Sequence, residues 1–319
     1  MKAKLKMKFL IAFLISLYLI SCQKKDLEII NLHFQKDLIP EGIAIDPANL
    51  TIFLNSLHRD KIVTSNIDGT NPKDFIQSNQ YGYLSGFGML IKGDTLFALG
   101  NSLSKITSKS VLLLLNKNTG SFIKSYSPTD TTFKYLNDLA VCKNGDIYIT
   151  DSETNRIYTI EHSEDSLKVY IESDEIKYSN GIAVSDDNKH LYLASYEKGI
   201  RVVDLATKQI INNSNPEYTG IDGMKFYRNS LIAMLNAKAK HEERGVYRFI
   251  LNQEEDSIIK KEKIISFSDS THIPTTFAIV DGYIYFNMNS QIDKLEVRNN
   301  SITDQDKLQD YKLMKVKIR

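Results

Sequence analysis

Oxygen-bearing side chains recur along this chain just before short apolar strands. Four of them are carboxylates or amides: Glu41, Asn137, Asn180 and Asp222. Calcium takes about six to eight oxygen ligands, drawn from carboxylates, amides, backbone carbonyls and water. The absence of His and Cys from the four argues against zinc or copper. If the fold brings these side chains together, they form a calcium site with positions open for water and for a substrate oxygen.

A repeat places the four residues at equivalent positions. Together with Ser85 and Thr275 they open six segments, which are separated by steps of 44, 52, 43, 42 and 53 residues. Each segment continues with an apolar strand, a turn and further strands, and Asn144-Gly145 supplies the positive φ angles of a tight hairpin. The strands are apolar on both faces, which is typical of sheets stacked face to face. The pattern predicts a six-bladed β-propeller with four-stranded antiparallel blades.

Equivalent positions in a propeller form a ring at one mouth of the central channel. Glu41 and Asp222 would meet there although 181 residues separate them in sequence. The terminal strand candidates, 27–32 and 311–318, are expected to pair in one blade and close the ring. The channel strands are predicted to begin near residues 42, 86, 138, 181, 223 and 276.

The hairpin loops at the same mouth carry candidate substrate-binding residues. His58 and Arg59 follow one strand, and Tyr196 follows another. Such side chains can bind a carboxylate or steady a leaving group, although a His-Arg pair is also common in a solvated turn. We therefore assign His58, Arg59 and Tyr196 to substrate binding as a hypothesis.

The N-terminus has the pattern of a processing segment. Four lysines precede an apolar or hydroxyl-bearing stretch, 9–20, that is too short to span a bilayer stably. The ending Leu19-Ile20-Ser21-Cys22 resembles a bacterial lipobox, in which the cysteine receives a diacylglycerol; the alternative is an ordinary signal peptide with an incidental cysteine. We expect a membrane-anchored lipoprotein outside the cytoplasm, with a signal peptide at 1–21, a lipidated tether on Cys22 at 22–30 and the propeller at 31–319.

Charge and cysteine content exclude several classes. The formal net charge is +1, and removal of residues 1–21 with their four lysines changes it to −3. Neither value favours nucleic acid as a partner. Cys142 is then the only cysteine in the folded domain, so an intrachain disulfide is impossible. Its apolar surroundings predict a buried small hydrophobe rather than a nucleophile. We expect a monomer.

Several of these segments resemble a known family. Pro40-Glu-Gly-Ile-Ala, Leu136-Asn-Asp-Leu-Ala, Ser179-Asn-Gly-Ile-Ala and Asp222-Gly-Met are similar to motifs of the senescence-marker-protein/gluconolactonase family and the related paraoxonases. The resemblance covers roughly residues 38–290. It implies a six-bladed calcium propeller that hydrolyses lactones and some esters.

The resemblance also implies roles for individual residues. Glu41, Asn180 and Asp222 would be direct calcium ligands, Asn137 would contact the ion directly or through water, and Asp222 would also be the general base. Catalysis would therefore involve Asp222 and Asn137. Blade two departs from the pattern because Ser85-Gly-Phe-Gly-Met has no histidine and no nearby arginine.

Two functions stay open at this point. The first is a calcium-dependent hydrolase of lactones or esters. The second is a non-catalytic extracytoplasmic propeller that binds a ligand or a partner protein on the same face, since propellers host both kinds of function. The arrangement of the four side chains in space distinguishes the two.

Overall fold

The computed structural model describes residues 27–106, 108–130, 132–237, 241–267 and 273–318. Over these residues six four-stranded antiparallel sheets follow one another along the chain, together with one two-stranded hairpin. The predicted six-bladed β-propeller is therefore confirmed. The signal peptide and Cys22 lie outside the described residues.

Blade one contains β2 (Ile43–Asp46), β3 (Thr51–Asn55), β4 (Ile62–Asn66) and β5 (Lys73–Ile76). Blade two contains β6 (Ser85–Lys92), β7 (Thr95–Asn101), β8 (Ser110–Asn116) and β9 (Phe122–Tyr126). Blade three contains β10 (Leu136–Val141), β11 (Ile147–Asp151), β12 (Arg156–Ile160) and β13 (Leu167–Glu172). Blades four and five contain β14 (Ser179–Val184), β15 (His190–Ser195), β16 (Gly199–Asp204) and β17 (Gln209–Ile210); and β18 (Ile221–Phe226), β19 (Ser230–Leu235), β20 (Gly245–Leu251) and β21 (Ile258–Ser266). Short 3-10 helices span Gln80–Gly82, Asp174–Ile176, Pro216–Tyr218, His241–Glu243, Ile292–Lys294 and Gln305–Lys307.

The sixth blade joins the two ends of the chain. Its strands, from the channel outwards, are β22 (Ala278–Val280), β23 (Tyr283–Asn287), β26 (Tyr311–Lys317) and β1 (Leu27–Leu32). β1 pairs antiparallel with β26, from Leu27 opposite Val316 to Leu32 opposite Tyr311. The pairing closes the ring as predicted, and it includes residues 27–30, which the sequence analysis assigns to the tether.

The innermost strands begin within two residues of the predicted positions and contact one another around the axis in the order β2, β6, β10, β14 and β18, while β22 contacts β2. Strands β2, β3, β11, β15 and β19 are buried on both faces, in agreement with the stacked-sheet pattern. Four inner strands, β6, β10, β14 and β18, carry a register shift near their first residues. A β-bulge of this kind re-aims side chains, and these bulges lie at the mouth where the candidate residues occur.

Blade six carries an insertion between β23 and β26. It contains the hairpin β24 (Leu295–Glu296) and β25 (Ser301–Ile302). Leu295 and Leu308 of the insertion are buried in one apolar cluster with Ile39, which precedes β2, and Leu57, which lies in the loop between β3 and β4. The insertion therefore packs on the same end of the propeller as the candidate site. None of the helices in the described ranges is long and apolar enough to cross a bilayer.

Candidate functional site at the channel mouth

Three blades contribute to one hydrogen-bond network around Asp222. Asn180 Nδ2 donates to Asp222 Oδ1 at 2.5 Å and to the Tyr196 hydroxyl at 3.0 Å. The Tyr196 hydroxyl lies 3.4 Å from the same carboxylate oxygen. Asn236 Nδ2 donates to Asp222 Oδ2 at 2.6 Å and to the carbonyl oxygen of Pro274 at 2.6 Å. We call Asn180, Tyr196, Asp222 and Asn236 the Asp222 network.

Local structure explains this convergence. Asn180 and Asp222 lie in the bulges of β14 and β18, and Tyr196 follows the second strand of blade four. Glycine follows each of these bulge residues, and Gly181 allows β14 to approach β18 closely. A Cβ atom at Gly181 would lie 2.7 Å from the Met224 nitrogen and 2.8 Å from the Asp222 carbonyl oxygen. A larger residue at position 181 would separate the two strands that carry Asn180 and Asp222.

Glu41 lies just before β2, on the other side of the ring closure. Gly42 N donates to Asn55 Oδ1 at 2.7 Å, and the Thr275 hydroxyl of blade six donates to the Glu41 carbonyl oxygen. These contacts fix the backbone of Glu41 between blades one and six. Its side-chain oxygen Oε2 is buried and has no hydrogen-bond partner among the described residues. A buried carboxylate oxygen without a partner is costly, and a cation or a proton would satisfy it.

The two carboxyl groups influence each other's ionisation. Burial raises the pKa of Glu41 well above its usual range, and the negative charges of Asp222 and Asp138 raise it further. Burial also raises the pKa of Asp222 to about 6, against the opposing effect of the donors Asn236, Asn180 and Tyr196. Burial and the charge of Asp222 raise the pKa of the Tyr196 hydroxyl, which therefore stays protonated. Such shifts at a cluster of polar groups are typical of functional sites.

The Asn137 side chain hydrogen-bonds to a residue outside the Asp222 network. It is buried in the bulge of β10, where its Nδ2 donates to the Ser152 hydroxyl at 3.0 Å. The next residue, Asp138, forms an ion pair with Lys225 of β18. The structure therefore places Asn137 on the expected inner strand but, among the described residues, shows no hydrogen bond between its side chain and the other candidates.

His58 and Arg59 have a different environment. Both lie in the loop 56–61 that joins β3 and β4, and both contact Asp37. Arg59 Nε donates to Asp37 Oδ2 at 2.9 Å, and His58 Nδ1 lies 2.9 Å from the Asp37 carbonyl oxygen. Asn300 of the blade-six insertion donates to the His58 carbonyl oxygen at 3.2 Å. We call Asp37, His58 and Arg59 the Asp37 pair region. The substrate-binding role of His58 and Arg59 stays a prediction.

The oxygen atoms of the four candidate residues can be compared with the ligands that calcium requires. Glu41 and Asp222 supply carboxylate oxygens, and the amides of Asn180 and Asn137 donate through Nδ2, which leaves their carbonyl oxygens Oδ1 for a cation. No three His, Cys, Asp or Glu side chains of the described residues form a metal-binding group. That finding is consistent with a site built from two carboxylates and amides. The unpartnered Glu41 Oε2 and the charge repulsion between the carboxylates both fit a divalent cation.

Sequence reasoning missed Asn236, Asp138 and Lys225. The sequence contains a signal for Asn236, because the second strand of every blade ends at or just before a polar residue. Those residues are Asn55, Asn101, Asp151, Ser195, Asn236 and Asn287. Asn55 and Asn101 hydrogen-bond to inner-strand backbone, whereas Asn236 bonds to the Asp222 carboxylate. Lys225 stands out only as a charged residue within an inner strand.

The fold and the mouth cluster define a class: a six-bladed β-propeller with two partly buried carboxylates and amide groups at one end of its channel. The profile of the family described as "SMP-30/Gluconolactonase/LRE-like region" matches residues 39–226. The match covers more than half of the chain, so the protein belongs to this family. Membership supports a lactonase-type hydrolase.

Solved structures show the same fold at low sequence identity. A gluconolactonase from Xanthomonas campestris is 13% identical with a TM-score of 0.59, covering 91% of this chain and 90% of that one. A virginiamycin B lyase from Staphylococcus aureus is 14% identical with a TM-score of 0.57, covering 92% and 99%. A PQQ-bound aldose sugar dehydrogenase from Streptomyces coelicolor is 11% identical with a TM-score of 0.60, covering 91% and 98%. No curated protein matches the sequence significantly.

The three structural relatives are named for three different reactions. At these identities they establish the fold and no more. The choice of function therefore depends on the family and on the residues at the channel mouth.

Proposed function

We propose that the protein is a calcium-dependent hydrolase of lactones or related esters, with its active site at the channel mouth. The observation that carries the proposal is the Asp222 network beside the unpartnered Oε2 of Glu41. Glu41, Asn180 and Asp222 would hold the cation, and Asn137 would complete the set. A bound dication supplies Lewis-acid polarisation of the ester carbonyl.

The side chains of the network support hydrolysis in specific ways. Asp222 has a pKa raised to about 6, so at neutral pH it is ionised yet still a competent proton acceptor for a water molecule. Asn236 and Asn180 each donate to one of its two carboxylate oxygens and hold the group in one orientation. The Tyr196 hydroxyl stays protonated and lies 3.4 Å from Asp222 Oδ1, and donation to a substrate oxygen would replace that contact.

The test is hydrolysis of a panel of lactones and esters by the purified protein, with calcium and with a chelator. We expect activity that the chelator removes and that calcium restores. Asp222→Asn should lower kcat by at least about a hundredfold even at saturating calcium, because it removes the proton acceptor. Asp187→Asn is the matched control. Asp187 is a hydrogen-bonded carboxylate in the turn after β14, and its loss should leave kcat unchanged.

Two results would redirect the proposal. Hydrolysis that is equal with and without chelator would exclude the calcium-dependent mechanism. A protein that binds calcium but hydrolyses none of the lactones or esters would favour the non-catalytic binding module instead. We also propose the extracytoplasmic, lipid-anchored location, which depends on the N-terminal sequence pattern alone.

A further inference from the structure

A buried ion pair lies directly behind the candidate site. Lys225 Nζ of β18 is 3.1 Å from Oδ2 and 3.2 Å from Oδ1 of Asp138, which lies in the bulge of β10. The side chain of Asp138 is 4% exposed and that of Lys225 is 19% exposed. The pair joins blades three and five, which are not neighbours, so Lys225 reaches past blade four inside the ring.

The surroundings of Lys225 leave Asp138 as its ion-pair partner among the described residues. Below the pair is a cavity of about 230 Å³, lined by apolar residues of β2, β6 and the sixth blade and by Lys225 as the charged residue of the described lining. Above it, Asp138 is bonded along the chain to Asn137, one of the candidate ligands. The ammonium therefore lies at the boundary between the apolar part of the channel and the acidic mouth.

Three carboxyl groups and one ammonium group determine the charge at this boundary. Glu41, Asp138 and Asp222 are three carboxyl groups that act on one another across the mouth, and the charge of Lys225 acts on Glu41 and Asp138. Interactions between charges are strong inside a protein because the effective dielectric constant is low. A fixed ammonium there repels a divalent cation and cancels one of the three negative charges that would attract it.

We propose that Lys225 is a built-in counter-ion that neutralises Asp138 and so sets the affinity of the channel mouth for one divalent cation. The inference deepens the proposed function and depends on the mouth being a cation site. Lys225 is thus a positioning and charge-balancing residue rather than a catalytic one.

The test measures calcium affinity by isothermal titration on four variants. Lys225→Met removes the repelling charge and should tighten calcium binding at least about tenfold, or add a second bound ion. Asp138→Asn leaves the ammonium without its partner and should weaken binding at least about tenfold. The double variant has the parent's net charge and should bind within about threefold of the parent. Lys225→Arg retains the charge and should do the same.

A second buried lysine provides the matched control. Lys117 Nζ is 2.7 Å from Asp46 Oδ2, and both side chains are less than a tenth exposed. Asp46 is the last residue of β2, whereas Glu41 precedes the first residue of the same strand. Lys117→Met breaks a buried pair at the opposite end of β2 from Glu41, so it should lower the free energy of unfolding and leave calcium affinity unchanged.

Each outcome decides one way. Equal affinities in the parent, Lys225→Met and Asp138→Asn would overturn the inference and leave the proposed function standing. Tightening by Lys117→Met as large as by Lys225→Met would also overturn it, because the effect would then come from net charge alone. Calcium binding by Lys225→Met but not by the parent would support the inference and contradict the calcium dependence of the proposed function. Absence of binding in both proteins would overturn both.

Discussion

The Asp222 network and the Asp37 pair region both lie at the same end of the propeller, and their surroundings differ. In the Asp222 network, the side chains bond to one another and to a carboxylate whose pKa is raised to about 6. In the Asp37 pair region, Arg59 forms an ion pair with Asp37 and His58 contacts the Asp37 backbone. In the first region the Asp222 carboxyl group is desolvated, whereas in the second the charge of Asp37 is neutralised by the ion pair with Arg59. The two regions therefore differ in how their charges are satisfied, although both lie at the channel mouth.

Calcium should separate the two regions most clearly. A cation that binds the folded mouth and not the unfolded chain stabilises by about 2.7 kcal/mol at a hundredfold excess over Kd, which is a rise in Tm of roughly 4–5 °C for a domain of this size. Glu41→Gln and Asp222→Asn should each remove most of that rise, and Asn180→Ala less of it, because only the first two remove a charge. Arg59→Ala should retain it. Thermal melts with calcium and with chelator measure the effect, and a Tm indifferent to calcium would contradict the site.

The pH dependence of stability gives a second contrast. The folded pKa of Asp222, about 6, lies above its unfolded value near 3.8, so between these pH values the folded state binds more protons. The contribution of Asp222 to the free energy of unfolding is fully present below about pH 4 and is lost as pH rises through 6. In the presence of chelator this change amounts to about 2–3 kcal/mol. Glu41, with its raised pKa, acts in the same direction.

Urea titrations in chelator across this pH range measure that loss. In Asp222→Asn the fall in the free energy of unfolding should be smaller by the contribution of Asp222. Asp187→Asn should retain the full fall, because hydrogen bonds lower the pKa of Asp187 below its usual range and it stays ionised throughout the range. An Asp222→Asn protein with an unchanged pH profile would show that this carboxyl group is not desolvated.

Arg59→Ala should have a smaller effect. Its side chain is 47% exposed and already paired with Asp37, so its loss should lower the free energy of unfolding by about 1 kcal/mol or less. If hydrolysis is observed, KM should change less than about threefold, whereas a contact with a substrate carboxylate would make the rise larger. Steady-state kinetics of Arg59→Ala with Arg156→Ala as a control measures this. Arg156 is a comparable surface arginine paired with Glu172. A tenfold rise in KM for Arg59→Ala alone would support the substrate-binding hypothesis.

Cys22→Ala should leave both regions unchanged. The prediction concerns location only: the variant should lose membrane association and appear soluble or unprocessed, because the lipid attachment point is gone. Fractionation of cells that express the parent and the variant measures it, with Cys142→Ala as the control, since Cys142 is a buried side chain. Equal membrane partitioning of Cys22→Ala and the parent would contradict the lipoprotein hypothesis.

The sequence by itself determined the number of blades and the start of each inner strand. Hydrophobic runs, turn residues and a recurring oxygen-bearing residue are local signals, and they repeat six times. The ring closure by residues 27–32 and 311–317 was also predictable, because pairing of the terminal strands in one blade joins the two ends of the ring.

Tertiary structure alone decided which polar residues meet. The bulges that aim Asn180 and Asp222 at each other, and the separate pairing of Asn137 with Ser152, depend on the register between neighbouring strands. The pairing of Asp138 with Lys225 joins residues 87 positions apart in blades that are not adjacent. Hydrogen bonds and ion pairs require donor–acceptor distances that are correct to within a few tenths of an ångström, and their strength depends on desolvation. Neither is encoded in residue spacing along one strand.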